Sequence, residues 1–150
     1  MPVVKTIMDE LNCPYRKNLA SRERDDLLRD LSAYLEPRPE LVFAYVYGSF
    51  VSGMPFQDID LALYVDLEHL GNVRSIEEEY AESLSNVFRQ VFHVVIVNHA
   101  PAPLLCSVFS EGVRLFCKDD ELLSSCIEQC SLDMLANEGV SRQSLEEIVS

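Results

Sequence analysis

Two carboxylates at the mouth of an apolar run constrain this chain more than any other feature. Asp58 and Asp60 flank Ile59, and the run continues as IDLALYV to Val65. Residues two apart on a strand project to the same face. The pair should therefore emerge side by side at one end of a central strand. Adjacent carboxylates in an apolar run are costly unless something cationic neutralises them. Mg²⁺ held jointly by carboxylates and substrate phosphates meets that demand. Upstream, Val42 to Tyr47 is apolar, β-branched and aromatic, the pattern of a buried strand, and Gly48-Ser49 follow at once. A glycine lets backbone N–H groups approach a phosphate, and the Ser49 hydroxyl adds a further donor. Gly53 permits a close turn before the second strand. Gly48, Ser49 and Gly53 are thus candidate nucleotide-binding residues, and Asp58 and Asp60 candidate catalytic metal ligands. Taken alone, the two aspartates equally suit the solvated end of a loop. A phosphate cradle beside paired carboxylates is the arrangement of phosphoryl or nucleotidyl transfer.

Gly48-Ser49, Gly53 and Asp58-Ile59-Asp60-Leu61 resemble the signature of the DNA polymerase β-type nucleotidyltransferase superfamily. The short chain is similar to its minimal nucleotidyltransferase (MNT) branch, the antitoxin partners of HEPN-type toxins. The resemblance runs from about Leu27 to about Phe116. It implies a nucleotidyltransferase α/β core and ATP bound over Gly48 and Ser49. It also implies one or two Mg²⁺ or Mn²⁺ ions on Asp58 and Asp60. AMP would pass to a hydroxyl, such as a tyrosine of a HEPN-type toxin. Two departures stand out. Family members carry a third acidic residue on the next strand, and matching FHVVIVNHAP to that pattern puts His93 there. Neutral His93 suits a metal ligand or general base, although imidazole favours Mn²⁺ over Mg²⁺. The alternative is a packed strand residue in a site that has lost one ligand. Asp66 lies at the far end of the strand and does not replace it. Secondly, the turn Phe50-Val51-Ser52-Gly53 has no Arg or Lys, and Arg74 and Arg89 read as solvent-facing helix residues. Two other readings follow: a degraded member that neutralises its partner by binding only, and a transferase acting on a small molecule of the aminoglycoside type.

At 150 residues, one domain with a real core is the natural count. The formal net charge of −13 argues against direct nucleic-acid binding, which needs Lys and Arg on phosphates. It suits a basic protein partner, or solubility alone. No apolar run approaches the roughly 20 residues of a membrane span. The beginning, MPVVKTIMDELN, carries early acids and no small-residue cleavage site, unlike a signal peptide. The five cysteines include no C-x-x-C pair, and no His or acid cluster completes a zinc site. They read as reduced thiols of a cytoplasmic protein. A homo-oligomer remains an open expectation.

Along the chain, residues 1–20 read as an arm with one short amphipathic helix on Val4, Ile7, Met8 and Leu11. Ser21 is the expected N-cap of a helix to about Glu36. A second helix is expected from about Ser75 to Gln90, with Glu77, Glu78 and Glu79 in its first turn. Phe92 to Val97 is a third strand. A short helix with Leu104, Leu105, Val108 and Phe109 inward ends at Gly112, and Val113 to Cys117 is a fourth strand. A last helix runs to about Asn137 and is closed by Gly139, so residues 21–137 form the domain and 138–150 a tail. The fold class is α/β (α+β), a small mixed β-sheet of about four strands flanked by helices.

Overall fold

Strands that are apolar along their whole length need cover on both faces. A computed structural model, which describes residues 20–53 and 55–149 with side chains as far as residue 136, shows both faces covered. The elements are α1 (Ser21–Leu35), β1 (Leu41–Tyr47), β2 (Ile59–Val65), α2 (Val73–Phe88), β3 (Phe92–Ile96), α3 (Ala102–Glu111), β4 (Val113–Cys117) and α4 (Asp120–Val149). They form one four-stranded sheet in the order β3-β2-β1-β4. β1 is antiparallel to β2 and β4, whereas β2 and β3 are parallel. The parallel pair requires a crossover, which α2 supplies. This is the mixed α+β sheet that the sequence predicts.

The two faces sort by residue parity. Ile59, Leu61, Leu63 and Val65 of β2 and Phe92, Val94 and Ile96 of β3 pack with Leu31 and Leu35 of α1 and Tyr80 and Leu84 of α2. Phe43 and Tyr45 of β1 and Ala62 of β2 pack with Val108 of α3 and Leu123 of α4. Leu41 shares the first face with Ala44 and Val46, which simple alternation forbids. A register irregularity between Leu41 and Phe43 accounts for the flip, since one extra residue inverts the side chains beyond it. At the far end of the parallel pair, the Asn98 amide clips Val65. Its Oδ1 accepts from Val65 N–H at 2.9 Å and its Nδ2 donates to the Val65 carbonyl at 2.7 Å.

Three expected boundaries move. Ala20, not Ser21, is the N-cap of α1, and its N–H donates to Glu23 Oε1 at 3.1 Å. Helix α2 begins two residues early because Asn72 caps it, accepting from Ser75 N–H at 3.0 Å. Glu77, Glu78 and Glu79 consequently lie beyond the first turn, and Glu77 Oε2 instead accepts from Ile96 N–H at 2.9 Å. Helix α4 does not stop at Asn137 but continues through Gly139 to Val149. A single glycine costs only about 1 kcal/mol inside a helix, and no proline follows it. The predicted short helix near the beginning of the chain lies outside the described residues. No helix among the described residues is long and apolar enough to cross a membrane.

Candidate active site

The site lies at the sheet end where β1 stops and β2 and β3 both start. Tyr47 pairs with Asp60 across β1 and β2, and Asp60 pairs with His93 across β2 and β3. Parity puts this row on the face of α3 and α4. These helices cover Phe43, Tyr45, Ala62 and Val97 but leave the His93 end open, with its side chain 63% exposed. Asp58 sits in the bend just before β2 and is exposed. Asp58 and Asp60 share that end of the strand, as the sequence predicts.

Between the strands, the glycine turn is held from several sides. Gly48 has φ +84°, and a Cβ there would collide with the Asp60 carboxylate. The turn backbone therefore lies directly against Asp60, an approach open to glycine alone. Gly53 also has a positive φ, +82°, but no neighbour crowds it, so its requirement is conformational. Ser52 Oγ donates to the Ser49 carbonyl at 3.0 Å, and Ser52 N–H reaches the Gly48 carbonyl at 3.4 Å. Phe50 and Phe56 are fully buried and meet edge to face at 4.9 Å, anchoring the loop in the core.

Arg24 holds this loop from behind, and the sequence reading passed over it. Its guanidinium donates to the Phe50 carbonyl and lies 5.5 and 5.8 Å from the Phe50 and Phe56 ring centroids. It is buried although charged. The available signal was spacing: Arg24 stands three, four and seven residues before Leu27, Leu28 and Leu31, on the inward face of α1. The turn carries no basic residue of its own, so the cation behind it comes from another element. A cleft of about 350 Å³ opens here, lined by Arg24, Leu28, Phe50, Ser52 and Gly53 among others.

The electrostatics of the row are set by burial and by His93. Burial pushes the Asp60 carboxyl above its ordinary value, the hydrogen bond and charge of His93 oppose that, and Asp58 adds to it. His93 Nδ1 lies 3.3 Å from Asp60 Oδ1. Burial, then Asp60 and Glu77, pushes the Tyr47 hydroxyl up to about 12, so it stays protonated. Among the described residues, no group of three or more His, Cys, Asp or Glu side chains is arranged to hold a metal by itself. Two carboxylates on one strand end instead fit the mode in which Mg²⁺ takes one or two protein carboxylates and completes its shell with phosphate and water. The other candidates stand apart. Asp66, at the opposite end of β2, accepts from Glu68 N–H at 2.9 Å and caps a 3-10 turn. Arg74 is exposed and lies 3.7 Å from Glu78. Arg89 ends α2 in a left-handed conformation, φ 58°. A backbone cradle against one carboxylate, a second carboxylate beside it and an exposed imidazole can bind an anion with a divalent ion and accept a proton.

Comparison with known proteins bears on the family and the fold. Residues 29–121, more than half of the chain, match the family model described as polymerase beta, nucleotidyltransferase. No curated protein sequence matches the chain significantly. Solved structures match over most of their length. A chain of the complex of tri-AMPylated Shewanella oneidensis HEPN toxin with MNT antitoxin superposes with a TM-score of 0.63 at 16% identity, covering 85% of this chain and 99% of that one. A chain of the MntA-HepT toxin-antitoxin gives 0.58 at 15%, covering 87% and 100%. A toxin-antitoxin structure with AMP-PNP gives 0.60 at 16%, again covering 87% and 100%. At these identities the likeness establishes a shared fold, whereas the family match rests on the sequence itself. The chain belongs to the polymerase beta nucleotidyltransferase family.

Proposed function

We propose that this protein is a metal-dependent nucleotidyltransferase that moves AMP from ATP to a hydroxyl of a protein partner, acting as an MNT-type antitoxin on a HEPN-type toxin. The observation that carries the reading is Gly48 lying against the Asp60 carboxylate, where no Cβ fits. A phosphate bound on the turn is thereby delivered to the carboxylate pair. In this reading Gly48, Ser49 and Gly53 present backbone and hydroxyl donors to the triphosphate, and Arg24 fixes the loop that carries them. Asp58 and Asp60 would hold Mg²⁺ or Mn²⁺ together with phosphate oxygens, which neutralises charge at the reacting phosphate. With Nδ1 against Asp60, His93 keeps Nε2 for the proton of the incoming hydroxyl. The hydroxyl oxygen replaces pyrophosphate on the α-phosphorus. The toxin-antitoxin complexes of the same fold, one of them with an AMPylated toxin, support the choice of acceptor. The net charge of −13 suits a basic partner.

A second reading has its own observation. His93 stands where the family places a third carboxylate, and no group of three metal-binding side chains occurs among the described residues. That favours a protein that neutralises its partner by binding alone. Calorimetric titration of ATP with Mg²⁺ and then Mn²⁺ separates the two. Metal-dependent ATP binding is expected in the wild type, weakened by about 100-fold or more in the Asp58→Asn/Asp60→Asn variant. Absence of ATP binding with either metal would sink the transferase reading and leave the binding-only protein.

A further inference from the structure

We propose that Cys106 and Cys130 are a peroxide-sensitive pair that closes to a reversible disulfide between α3 and α4. The two thiols lie on different helices, 24 residues apart, yet their sulfurs are 3.7 Å from each other. Cys106 Sγ also lies 3.8 Å from the Cys130 carbonyl. A disulfide needs a separation near 2.05 Å, so the sulfurs close by about 1.7 Å when it forms. Both are free thiols in the structure.

Their exposure divides the roles. Cys130 is buried, and burial and Cys106 push its thiol up to about 11, so at neutral pH it is a quiet thiol. Cys106 is partly exposed and takes the oxidant. A cleft of about 190 Å³ opens on the Cys130 side, lined by Phe43, Tyr64, Phe109, Cys126 and Cys130, while Cys106 meets the oxidant through its own exposed surface. In the first step the Cys106 sulfur attacks one peroxide oxygen. The O–O bond breaks, a sulfenic acid forms and water leaves when the peroxide is hydrogen peroxide. In the second step the Cys130 sulfur attacks the Cys106 sulfur, the S–O bond breaks and a second water departs. Two electrons pass from the two sulfurs to the peroxide, and thiol reductants reverse the change. The link would clamp the helical layer on the site-bearing face. It does not depend on the nucleotidyl-transfer reading.

The test is hydrogen peroxide treatment of the full chain, followed by non-reducing peptide mapping. The expected result is loss of two hydrogen atoms, a Cys106–Cys130 linked peptide, and recovery of both thiols with dithiothreitol. The link should vanish in Cys106→Ser and persist in Cys126→Ser. Phenylarsine oxide, which bridges close thiol pairs, provides a check on the unaltered chain: it should protect Cys106 and Cys130 together from alkylation. A link between other cysteines, oxidation of Cys106 without a link, or failure of phenylarsine oxide to protect both thiols would overturn the proposal.

Discussion

Gly48 and Gly53 share a left-handed backbone but not a reason for it. At Gly53 nothing crowds the missing side chain, so Gly53→Ala should cost only the conformational strain, about 1 kcal/mol. At Gly48 the new methyl group also meets Asp60, and Gly48→Ala should cost about 2–3 kcal/mol and displace the carboxylate. Urea denaturation of the two variants measures the difference. Asp60 makes the opposite case. Its folded-state pKa lies above the unfolded value, so the native state holds the extra proton and stability falls as pH rises from the ordinary carboxylate value through the raised one. Asp60→Asn should remove that falling limb and raise Tm near neutrality by about 2–4 °C. It should also lose metal-dependent ATP binding. Thermal unfolding across the acidic range would show whether the limb belongs to Asp60. The glycines and aspartates were legible as residue types in order. Spacing marks Arg24 as inward-facing but not its role, because its partners, Phe50 and Phe56, lie more than 25 residues away and meet it only in the folded molecule.

At the scale of elements, the loop between β1 and β2 is anchored by its own aromatic rings and braced from behind by α1. Arg24→Leu removes the donor to the buried Phe50 carbonyl and the cation beside two aromatic rings. A buried acceptor left without its partner costs about 1–3 kcal/mol. Arg24→Leu should lose about 2 kcal/mol and weaken ATP binding by about tenfold, because a looser turn costs ordering entropy on binding. Arg24→Lys keeps a charge and a donor and should recover part of both. Paired denaturation and titration of the two variants test this. An unchanged ATP affinity with reduced stability would mean that Arg24 supports the fold and not the turn. The central strands β1 and β2 were predictable because each is an apolar run, largely buried, bounded by turn residues. Helix ends were less so. Asn72 moves the start of α2 by two residues through one side-chain hydrogen bond, and Gly139 fails to end α4 because a lone glycine is only a weak stop.

For the whole molecule, charge is the property that acts at a distance. With 25 acidic and 12 basic residues, the protein should attract a basic partner and repel an acidic one. If the partner is a basic toxin, its association rate should fall by about tenfold or more between roughly 0.05 M and 0.5 M salt, with a much smaller change in dissociation rate. Stopped-flow mixing over that salt range checks it. A flat salt dependence would assign the acidity to solubility instead.

The sequence by itself determined the elements and the candidate site groups they carry. Apolar strands, a glycine turn and two carboxylates at one strand end follow from local pattern, because side-chain periodicity and backbone freedom are local properties. Only the tertiary structure decided what those groups meet. It laid Gly48 against Asp60, set His93 beside Asp60 through strand register, and brought Arg24 behind the loop. It also joined Cys106 to Cys130 across two helices. Each of these contacts links residues distant in the chain, and none has a local signature, because it is the packing of separate elements onto one sheet that creates them.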